Sequence, residues 1–351
     1  MKICFLSKDY SYNGGGERML CNLANELAKA NEVTVISFDF SEKEAIYKLD
    51  AKIRFVACEI KRKKVNFLTK FDYIKYIKYN INFFNSFDAV IGVGIICNLV
   101  LAYYAPEIKC KTIAWEHFCY DGTPLYQKIL RRFLFKRLSS VVILTNTDLP
   151  KYQKLNQKTQ VIYNFTNMCF RKNPNPDSKQ FLFVGRLSAQ KGFFDLLKII
   201  KNFCKINSDW TFRIIGNGEY KEKLEKFIDK ERIKNRISWA LVSQDVQSEM
   251  EDSACLILTS NYEGLPMVLI EAAVCALPSI SYDTPTGPAD IIADGKNGFL
   301  VPLHNYTVFL EKMKNISSDL NLRKQLSENA KEQSKKFNKN TILSKWNELL
   351  K

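Results

Sequence analysis

Residues 260–272 read SNYEGLPMVLIEA, and the residues before them, 254–259, form the apolar run ACLILT. An apolar run of this length predicts a buried parallel strand. A helical pattern begins just after Pro266, and proline is tolerated in the first turn of a helix. The stretch therefore predicts a strand–turn–helix unit, in which the N–H groups at the helix N-terminus can bind phosphate or sugar oxygens.

Two glutamates of this unit are candidate ligand-binding residues. Glu263 lies in the turn, and Glu271 lies inside the helix among apolar neighbours. Burial of a carboxylate is costly unless the carboxylate binds something. On spacing alone, an ordinary exposed helical glutamate fits position 271 equally well.

The segment from Glu263 to Glu271 resembles the E-x7-E signature of the retaining glycosyltransferases of family 4. The sequence of this segment, EGLPMVLIEA, is close to the sequences of that family. The resemblance covers most of the chain and is densest over residues 181–301. It implies the GT-B fold, in which two doubly wound, Rossmann-like α/β domains face a cleft. It also implies a C-terminal helix that crosses back to the N-terminal domain.

The length and the pattern of the chain agree with two α/β domains. A chain of 351 residues is too long for one typical core. Strand-like runs alternate with helical patterns, which predicts parallel sheets whose ligands bind beyond the carboxyl ends of the strands. The runs are residues 2–6, 33–38, 53–57, 88–92, 112–115, 141–145, 160–163, 181–184, 214–215, 236–239, 254–259 and 278–282. The predicted parts are an acceptor-side domain 1–165, a linker 166–180, a donor-binding domain 181–335 and a returning helix 336–351.

Basic residues and glycines supply the predicted contacts to a donor diphosphate. Residues 185–192, GRLSAQKG, resemble the family's G-R-x-x-x-x-K-G segment, and the resemblance assigns Arg186 and Lys191 to the leaving diphosphate. Gly14, Gly15 and Gly16 resemble the family's G-G-x-E-R loop, although a tight structural turn also explains them. The G-x-G-x-x-G fingerprint is absent, so a nicotinamide cofactor is not indicated.

The resemblance assigns the remaining site residues. It places His117 at the donor sugar and the reacting centre, although a lone histidine is more often structural. It places Glu263 on sugar hydroxyls and Glu271 on ribose hydroxyls, because a carboxylate accepts two hydroxyl hydrogen bonds. Further donor contacts are implied at Gly216, Asn217, Gly218, Leu241, Gly264, Leu265, Pro266, Met267 and Val268. The chain departs from the family at Trp239-Ala240-Leu241-Val242, where a Leu-Gly pair is usual.

The net charge of +15 lies mostly in the first half. Residues 1–175 carry 27 Lys and Arg against 15 Asp and Glu, a net +12, and residues 176–351 carry 25 against 22, a net +3. Residues 61–64 are all basic, and residues 128–138 predict a cationic amphipathic helix. Such a helix suits an anionic membrane surface, with contacts predicted at Arg131, Arg132, Lys136 and Arg137. A packed helix with a solvated charged face is the open alternative, and nucleic acid is not expected because no nucleic-acid module accompanies the charge.

The remaining composition indicates a cytoplasmic protein without a metal or cofactor. Ten scattered cysteines without a C-x-x-C pair favour reduced thiols, and two histidines do not predict a metal centre. The first six residues are too short for a secretory segment. Residues 89–105 are split by Gly92 and Gly94, which favours a buried strand over 88–92 and a buried helix over 95–104 rather than a membrane span. The expected location is the cytoplasm, with peripheral contact to the inner membrane.

The implied activity is metal-independent, retaining transfer of a hexose from a nucleoside diphosphate sugar, by front-face attack in which the leaving phosphate assists deprotonation of the acceptor. Residues 286–292, TGPADII, resemble members that build bacterial surface polysaccharides from UDP-galactose-type donors, which favours a UDP-linked Gal, GalNAc or GlcNAc donor. The implied acceptor is a hydroxyl of a lipid-linked or other saccharide in capsule, O-antigen or lipooligosaccharide synthesis. The alternatives are a sugar-phosphate synthase or phosphorylase of the same fold, and a catalytically silent membrane-bound scaffold.

Overall fold

The structure is a computed structural model that describes residues 1–11, 14–39, 45–58 and 69–351, with Thr69 and Lys70 described by backbone only. The basic residues 61–64 and part of the glycine-containing loop lie outside these ranges. The chain divides into two compact units, Met1–Asn164 with Asn340–Lys351, and Phe165–Lys339. Residues 166–180, predicted as a linker, and residues 336–339, predicted as part of the returning helix, therefore belong to the second unit.

The first unit is built on a seven-stranded parallel sheet with the strand order β3-β2-β1-β4-β5-β6-β7. Its strands are β1 (Lys2–Ser7), β2 (Glu32–Ser37), β3 (Arg54–Ala57), β4 (Ala89–Val93), β5 (Lys111–Trp115), β6 (Ser140–Ile143) and β7 (Thr159–Val161). Its first helices are α1 (Gly15–Leu27), α2 (Thr69–Tyr79), α3 (Ile81–Phe84), α4 (Ile95–Tyr104), α5 (Leu125–Leu134) and α6 (Leu149–Gln153). The central strands are apolar along nearly their whole length because helices cover both faces of such a sheet.

The second unit is built on a six-stranded parallel sheet with the order β10-β9-β8-β11-β12-β13. Its strands are β8 (Gln180–Val184), β9 (Thr211–Ile215), β10 (Ile237–Ala240), β11 (Cys255–Leu258), β12 (Ser279–Asp283) and β13 (Gly298–Pro302). Its helices are α7 (Phe193–Ile206), α8 (Lys221–Glu231), α9 (Val246–Glu251), α10 (Met267–Val274), α11 (Pro288–Ile291), α12 (Tyr306–Ser318) and α13 (Leu320–Ser334). Each unit has its own core of buried aliphatic and aromatic side chains.

Each sheet has one point where the strand order reverses direction. In the first sheet this point lies between β1 and β4, and in the second sheet it lies between β8 and β11. Loops that leave neighbouring strands at such a point diverge and open a crevice at the carboxyl ends of the strands. The topology therefore predicts ligand-binding crevices at the loops after β1, β8 and β11.

The last helix, α14 (Lys339–Leu350), belongs to the first unit from Asn340 onward. Trp346 of α14 is buried, and its ring lies 5.1 Å from the ring of Trp115 at the end of β5. Lys111 Nζ also donates a hydrogen bond to the Leu349 carbonyl oxygen at 3.2 Å. The helix that resembles the returning helix of family 4 thus packs beside the strand that leads to His117.

Helix α5 and strand β13 differ from what the sequence predicts. The cationic helix predicted at residues 128–138 is α5, which starts earlier, directly after Pro124, and ends at Leu134, where a 3₁₀ turn, Phe135–Arg137, follows. Strand β13 was not predicted, because it is short and Asn297-Gly298 reads as a turn.

Candidate functional site

The loops after β8 and β11 bring a lysine and a buried glutamate together. Lys191 Nζ lies 2.6 Å from Glu263 Oε1, and Glu263 is only 7% exposed. Arg186 lies in the same loop as Lys191 and is exposed. The structure therefore places a cation and a buried carboxylate in contact at the crevice of the second sheet.

Hydrogen bonds hold these two loops in register. Thr259 Oγ1 donates to the Lys191 carbonyl oxygen at 3.0 Å, the Asn261 N–H donates to Gln190 at 2.8 Å, and Asn261 Nδ2 donates to Ala189 at 2.7 Å. The roles of Thr259 and Asn261 were missed in the sequence, although two polar side chains directly after a buried strand were a signal for them. They fix the distance between Lys191 and Glu263.

A third loop supports the Glu263 turn from the other side. The Thr286 N–H donates to the Glu263 carbonyl oxygen at 3.2 Å, and Thr286 Oγ1 donates to that of Gly264 at 3.3 Å. Residues 286–292, TGPADII, resemble family sequences, and the structure shows that this segment packs directly on the turn that carries the predicted catalytic glutamate.

Helix α10 follows this turn and carries the second glutamate. Glu271 is 4% exposed, so the alternative of an exposed helical glutamate is wrong. Leu265 and Val268 are buried beside it, and Pro266 precedes the first helical residue, Met267. No side chain caps the N-terminus of α10, so its backbone N–H groups and positive dipole end are available to an anion.

The glycine turn after β9 lies against the loop that carries Arg186. A Cβ atom at Gly216 would overlap the carbonyl oxygen of Gly185, and one at Gly218 would overlap that of Leu187. Asn217 between them is exposed. Leu241, directly after β10, is half-exposed, and the neighbouring Trp239 Nε1 donates to the Gly216 carbonyl oxygen at 3.0 Å. All the donor residues predicted in this unit thus lie in loops at the carboxyl end of one sheet or in α10.

In the first unit the structure brings the glycine loop and His117 together. Gly14 precedes α1, Gly15 begins it, and a Cβ atom at Gly16 would lie 3.6 Å from His117 Cγ. His117 Nε2 is shielded from solvent and has no hydrogen-bond partner among the described residues. Burial lowers the pKa of His117 to about 3, so its imidazole is neutral at physiological pH. A neutral imidazole with an unused nitrogen can exchange a hydrogen bond with a ligand hydroxyl.

The predicted membrane residues do not share one environment. Arg132, Lys136 and Arg137 are exposed, but Arg131 is fully buried, and its Nη2 lies 2.5 Å from Glu116 Oε2. Its assignment to a membrane surface is therefore wrong. The helical period explains this, because position 131 falls on the side of α5 that faces the core. The opposite side exposes large apolar side chains, namely Leu125, Tyr126, Ile129, Leu130 and Phe133.

Two classes of feature are missing from the parts of the chain that the structure describes. In residues 1–11, 14–39, 45–58 and 69–351, no three or more His, Cys, Asp or Glu side chains converge as metal ligands. Within the same ranges, no helix combines the length and the hydropathy that a membrane crossing requires.

Comparisons with known proteins agree with this geometry. The family model "Glycosyl transferases group 1" matches residues 164–333, and "Glycosyltransferase Family 4" matches residues 13–168. The amylovoran biosynthesis glycosyltransferase AmsD of Erwinia amylovora is 29% identical over 361 residues, covering 99% of each chain. A Campylobacter jejuni enzyme named GalNAc-alpha-(1->4)-GalNAc-alpha-(1->3)-diNAcBac-PP-undecaprenol alpha-1,4-N-acetyl-D-galactosaminyltransferase is 27% identical over 372 residues, covering 100% of this chain and 98% of its own.

A solved structure supports the fold. The crystal structure of HepE from Anabaena in complex with UDP aligns with a TM-score of 0.81 at 17% identity, covering 100% of this chain and 99% of that one. At this identity the likeness concerns the fold alone. The two family models together span residues 13–333, and the chain is therefore a glycosyltransferase that belongs to family 4 and has the GT-B fold.

Proposed function

We propose that this enzyme is a retaining, metal-independent hexosyltransferase that uses a UDP-linked sugar. The observation that carries the proposal is the pairing of Lys191 with Glu263 at 2.6 Å beside the uncapped N-terminus of α10. A lysine ammonium has three donors, so Lys191 can keep its bond to Glu263 and still bind a phosphate oxygen. With Arg186 and the helix N-terminus, it supplies the positive charge that stabilises a leaving diphosphate.

The two buried glutamates and the histidine take separate tasks in this proposal. Glu263 accepts hydrogen bonds from the sugar hydroxyls, and Glu271 accepts them from the ribose. His117 contributes a neutral imidazole at the reacting centre, where a charged group would be costly to bury. The second unit binds the donor, and the first unit binds the acceptor.

The relatives support a role in bacterial surface-glycan synthesis. AmsD is named for amylovoran biosynthesis, and the Campylobacter jejuni enzyme is named for transfer of N-acetylgalactosamine to an undecaprenol-linked saccharide. HepE was crystallised with UDP. We therefore assign a galactose-type or N-acetylhexosamine donor and a lipid-linked saccharide acceptor.

A lipid-linked acceptor requires access to a membrane, and α5 offers a suitable surface. The α5 face consists of the exposed apolar side chains Leu125, Tyr126, Ile129, Leu130 and Phe133, with the cations Arg132, Lys136 and Arg137 around it. Apolar side chains flanked by cations favour insertion at an anionic lipid interface. We place this face on the cytoplasmic leaflet of the inner membrane.

A donor screen tests the proposed function. Thermal stabilisation and hydrolysis would be measured with UDP-Gal, UDP-GalNAc, UDP-Glc, UDP-GlcNAc and GDP-Man in the presence of EDTA. One UDP-hexose is expected to stabilise the protein by about 2.7 kcal/mol at 100 times its Kd, and to be turned over with retention at the anomeric carbon. Glu263→Gln should lower this turnover, and Glu271→Gln should mainly raise the Kd for UDP.

The same screen distinguishes the alternatives. Release of sugar 1-phosphate when inorganic phosphate is added would identify a phosphorylase. Binding of donors without turnover of any of them would identify a silent scaffold, and dependence of turnover on a divalent metal would contradict the metal-independent mechanism.

A further inference from the structure

A buried ion pair lies directly beside His117. Arg131 of α5 contacts the Glu116 carboxylate at 2.5 Å, and both side chains are at most 1% exposed. The same carboxylate accepts hydrogen bonds from Asn98 Nδ2 at 2.9 Å and from the Tyr152 hydroxyl at 3.2 Å. Glu116, the residue before His117, is therefore held by side chains from α4, α5 and α6.

Arg131 also holds the loop that leads away from His117. Its Nη1 donates to Thr123 Oγ1 at 3.0 Å, and Thr123 Oγ1 donates to the Tyr120 carbonyl oxygen at 2.7 Å. The guanidinium thus contacts both ends of the segment between β5 and α5. Its own pKa is lowered by burial, but the Glu116 carboxylate outweighs this effect and raises the pKa above its ordinary value, so the group stays charged.

We propose that the Glu116–Arg131 pair is a positioning element that fixes His117 relative to α5. A buried ion pair contributes little net stability compared with an apolar pair of the same size, so stability alone does not explain it. The planar guanidinium, however, places Nη2 on the Glu116 carboxylate and Nη1 on Thr123 Oγ1, so it fixes these two groups relative to each other. The other side of α5 is the proposed membrane surface. The ion pair therefore holds His117 rigidly relative to the helix that contacts the membrane.

The histidine content of the chain provides a direct test. His117 and His304 are the only histidines, so histidine labelled at ring Cε1 gives two NMR signals, which His304→Gln assigns. The test variant is Glu116→Gln combined with Arg131→Met, which removes both charges and leaves no buried charge unpaired. We expect the His117 signal to shift and broaden, while the kcat for the donor identified in the screen falls about 10- to 100-fold and its KM changes less than twofold.

The control removes a partly exposed Arg–Glu pair in the other unit. Arg213 and Glu249 form a bidentate pair at 2.8 and 2.6 Å, and Arg213→Met with Glu249→Gln should leave the His117 signal unchanged. If the Glu116–Arg131 variant folds with an unchanged His117 signal and wild-type kcat, the pair is only structural and the proposal is wrong. Should that variant not fold, Arg131→Lys and Tyr152→Phe decide the matter by the same signal.

The inference rests on the proposed function only for the kinetic measurement. The NMR signal needs no substrate. A shifted His117 signal in an enzyme that turns over no donor would contradict the proposed function while leaving the positioning role in place.

Discussion

Lys191 takes part in two interactions in the proposed reaction. It already pairs with the buried Glu263 carboxylate, and it is also assigned to the donor diphosphate. Arg186 is assigned to the same diphosphate but is exposed. The two cations therefore differ in what their removal does to the free protein.

Replacement of Lys191 by alanine should affect both catalysis and stability. Loss of a preorganised charge at the diphosphate should cost about 2–4 kcal/mol of transition-state stabilisation. The Glu263 carboxylate would also lose its cation, which should lower the free energy of unfolding by about 1–3 kcal/mol. Arg186→Ala serves as the comparison, with a similar kinetic loss and a smaller change in stability. Near wild-type turnover in both variants would contradict the phosphate assignment.

The partly buried His117 should make stability depend on pH. Because burial lowers its pKa from an ordinary value of about 6.5 to about 3, the unfolded chain binds a proton below pH 6.5 that the folded chain does not. The contribution to stability is therefore fully present above pH 6.5 and is lost as the pH falls toward 3. Between pH 6.5 and 5, His117→Phe should lose about 1–2 kcal/mol less stability than the wild type in urea unfolding. Parallel curves for the two proteins would show that the imidazole is accessible to protons.

At the scale of helices and strands, the elements with strong periodicity were predictable and their mutual contacts were not. The apolar runs gave most strands of both sheets, and residues 95–104 were predicted as the helix that is observed. The sequence also placed Lys191 and Glu263 in loops that follow predicted strands, but it did not show that these two strands are neighbours. It did not show that the two side chains pair, because their loops are brought together by hydrogen bonds from the Thr259 and Asn261 side chains to backbone carbonyl oxygens. The sequence predicts a surface position for Arg131 because the residues around it are cationic. Arg131 is buried instead, because position 131 lies on the side of α5 that faces the core.

Packing of the loops after β8 and β11 depends on a glycine, and this can be measured. Gly192 has φ +64°, and a Cβ atom there would overlap the Thr259 carbonyl oxygen. Gly295 has φ +71° with no atom within 4 Å of a Cβ position, so it is a matched control for backbone strain alone. Gly295→Ala should cost about 1–2 kcal/mol of stability, and Gly192→Ala should cost clearly more, with weaker UDP binding as well. Equal costs in thermal unfolding would show that the Thr259 loop moves aside freely.

At the scale of the whole molecule, charge and apolar surface coincide in the first half of the chain. Residues 1–175 carry 27 Lys and Arg against 15 Asp and Glu, whereas residues 176–351 are nearly balanced at 25 against 22. The α5 face lies in the same half. Burial of Arg131 does not remove this coincidence, because Arg132, Lys136 and Arg137 remain exposed around the apolar side chains. The positive field would attract the enzyme to an anionic surface, and the apolar side chains would hold it there.

Neutralising the α5 face should therefore release the enzyme from anionic vesicles. Each cation near such a surface contributes about 1 kcal/mol, so Arg132, Lys136 and Arg137 changed to Gln should weaken vesicle binding about 100-fold. The control changes three exposed cations of the second unit, Lys226, Lys230 and Lys234, to Gln, with the same loss of charge. Activity on a soluble acceptor should survive in both, and activity on a lipid-linked acceptor should fall only in the first.

Salt and apolar substitutions separate the two parts of this attraction. Raised salt should mimic the charge variant, because attraction between charges is screened beyond a Debye length of about 10 Å at 0.1 M. Ile129→Ser with Phe133→Ser should instead weaken binding at every salt concentration, since burial of apolar surface does not depend on screening. Sedimentation with vesicles that contain anionic lipid measures both effects. Vesicle binding that is unchanged by salt, by the three Gln substitutions and by the two Ser substitutions would mean that α5 faces water. The acceptor would then reach the enzyme by another route.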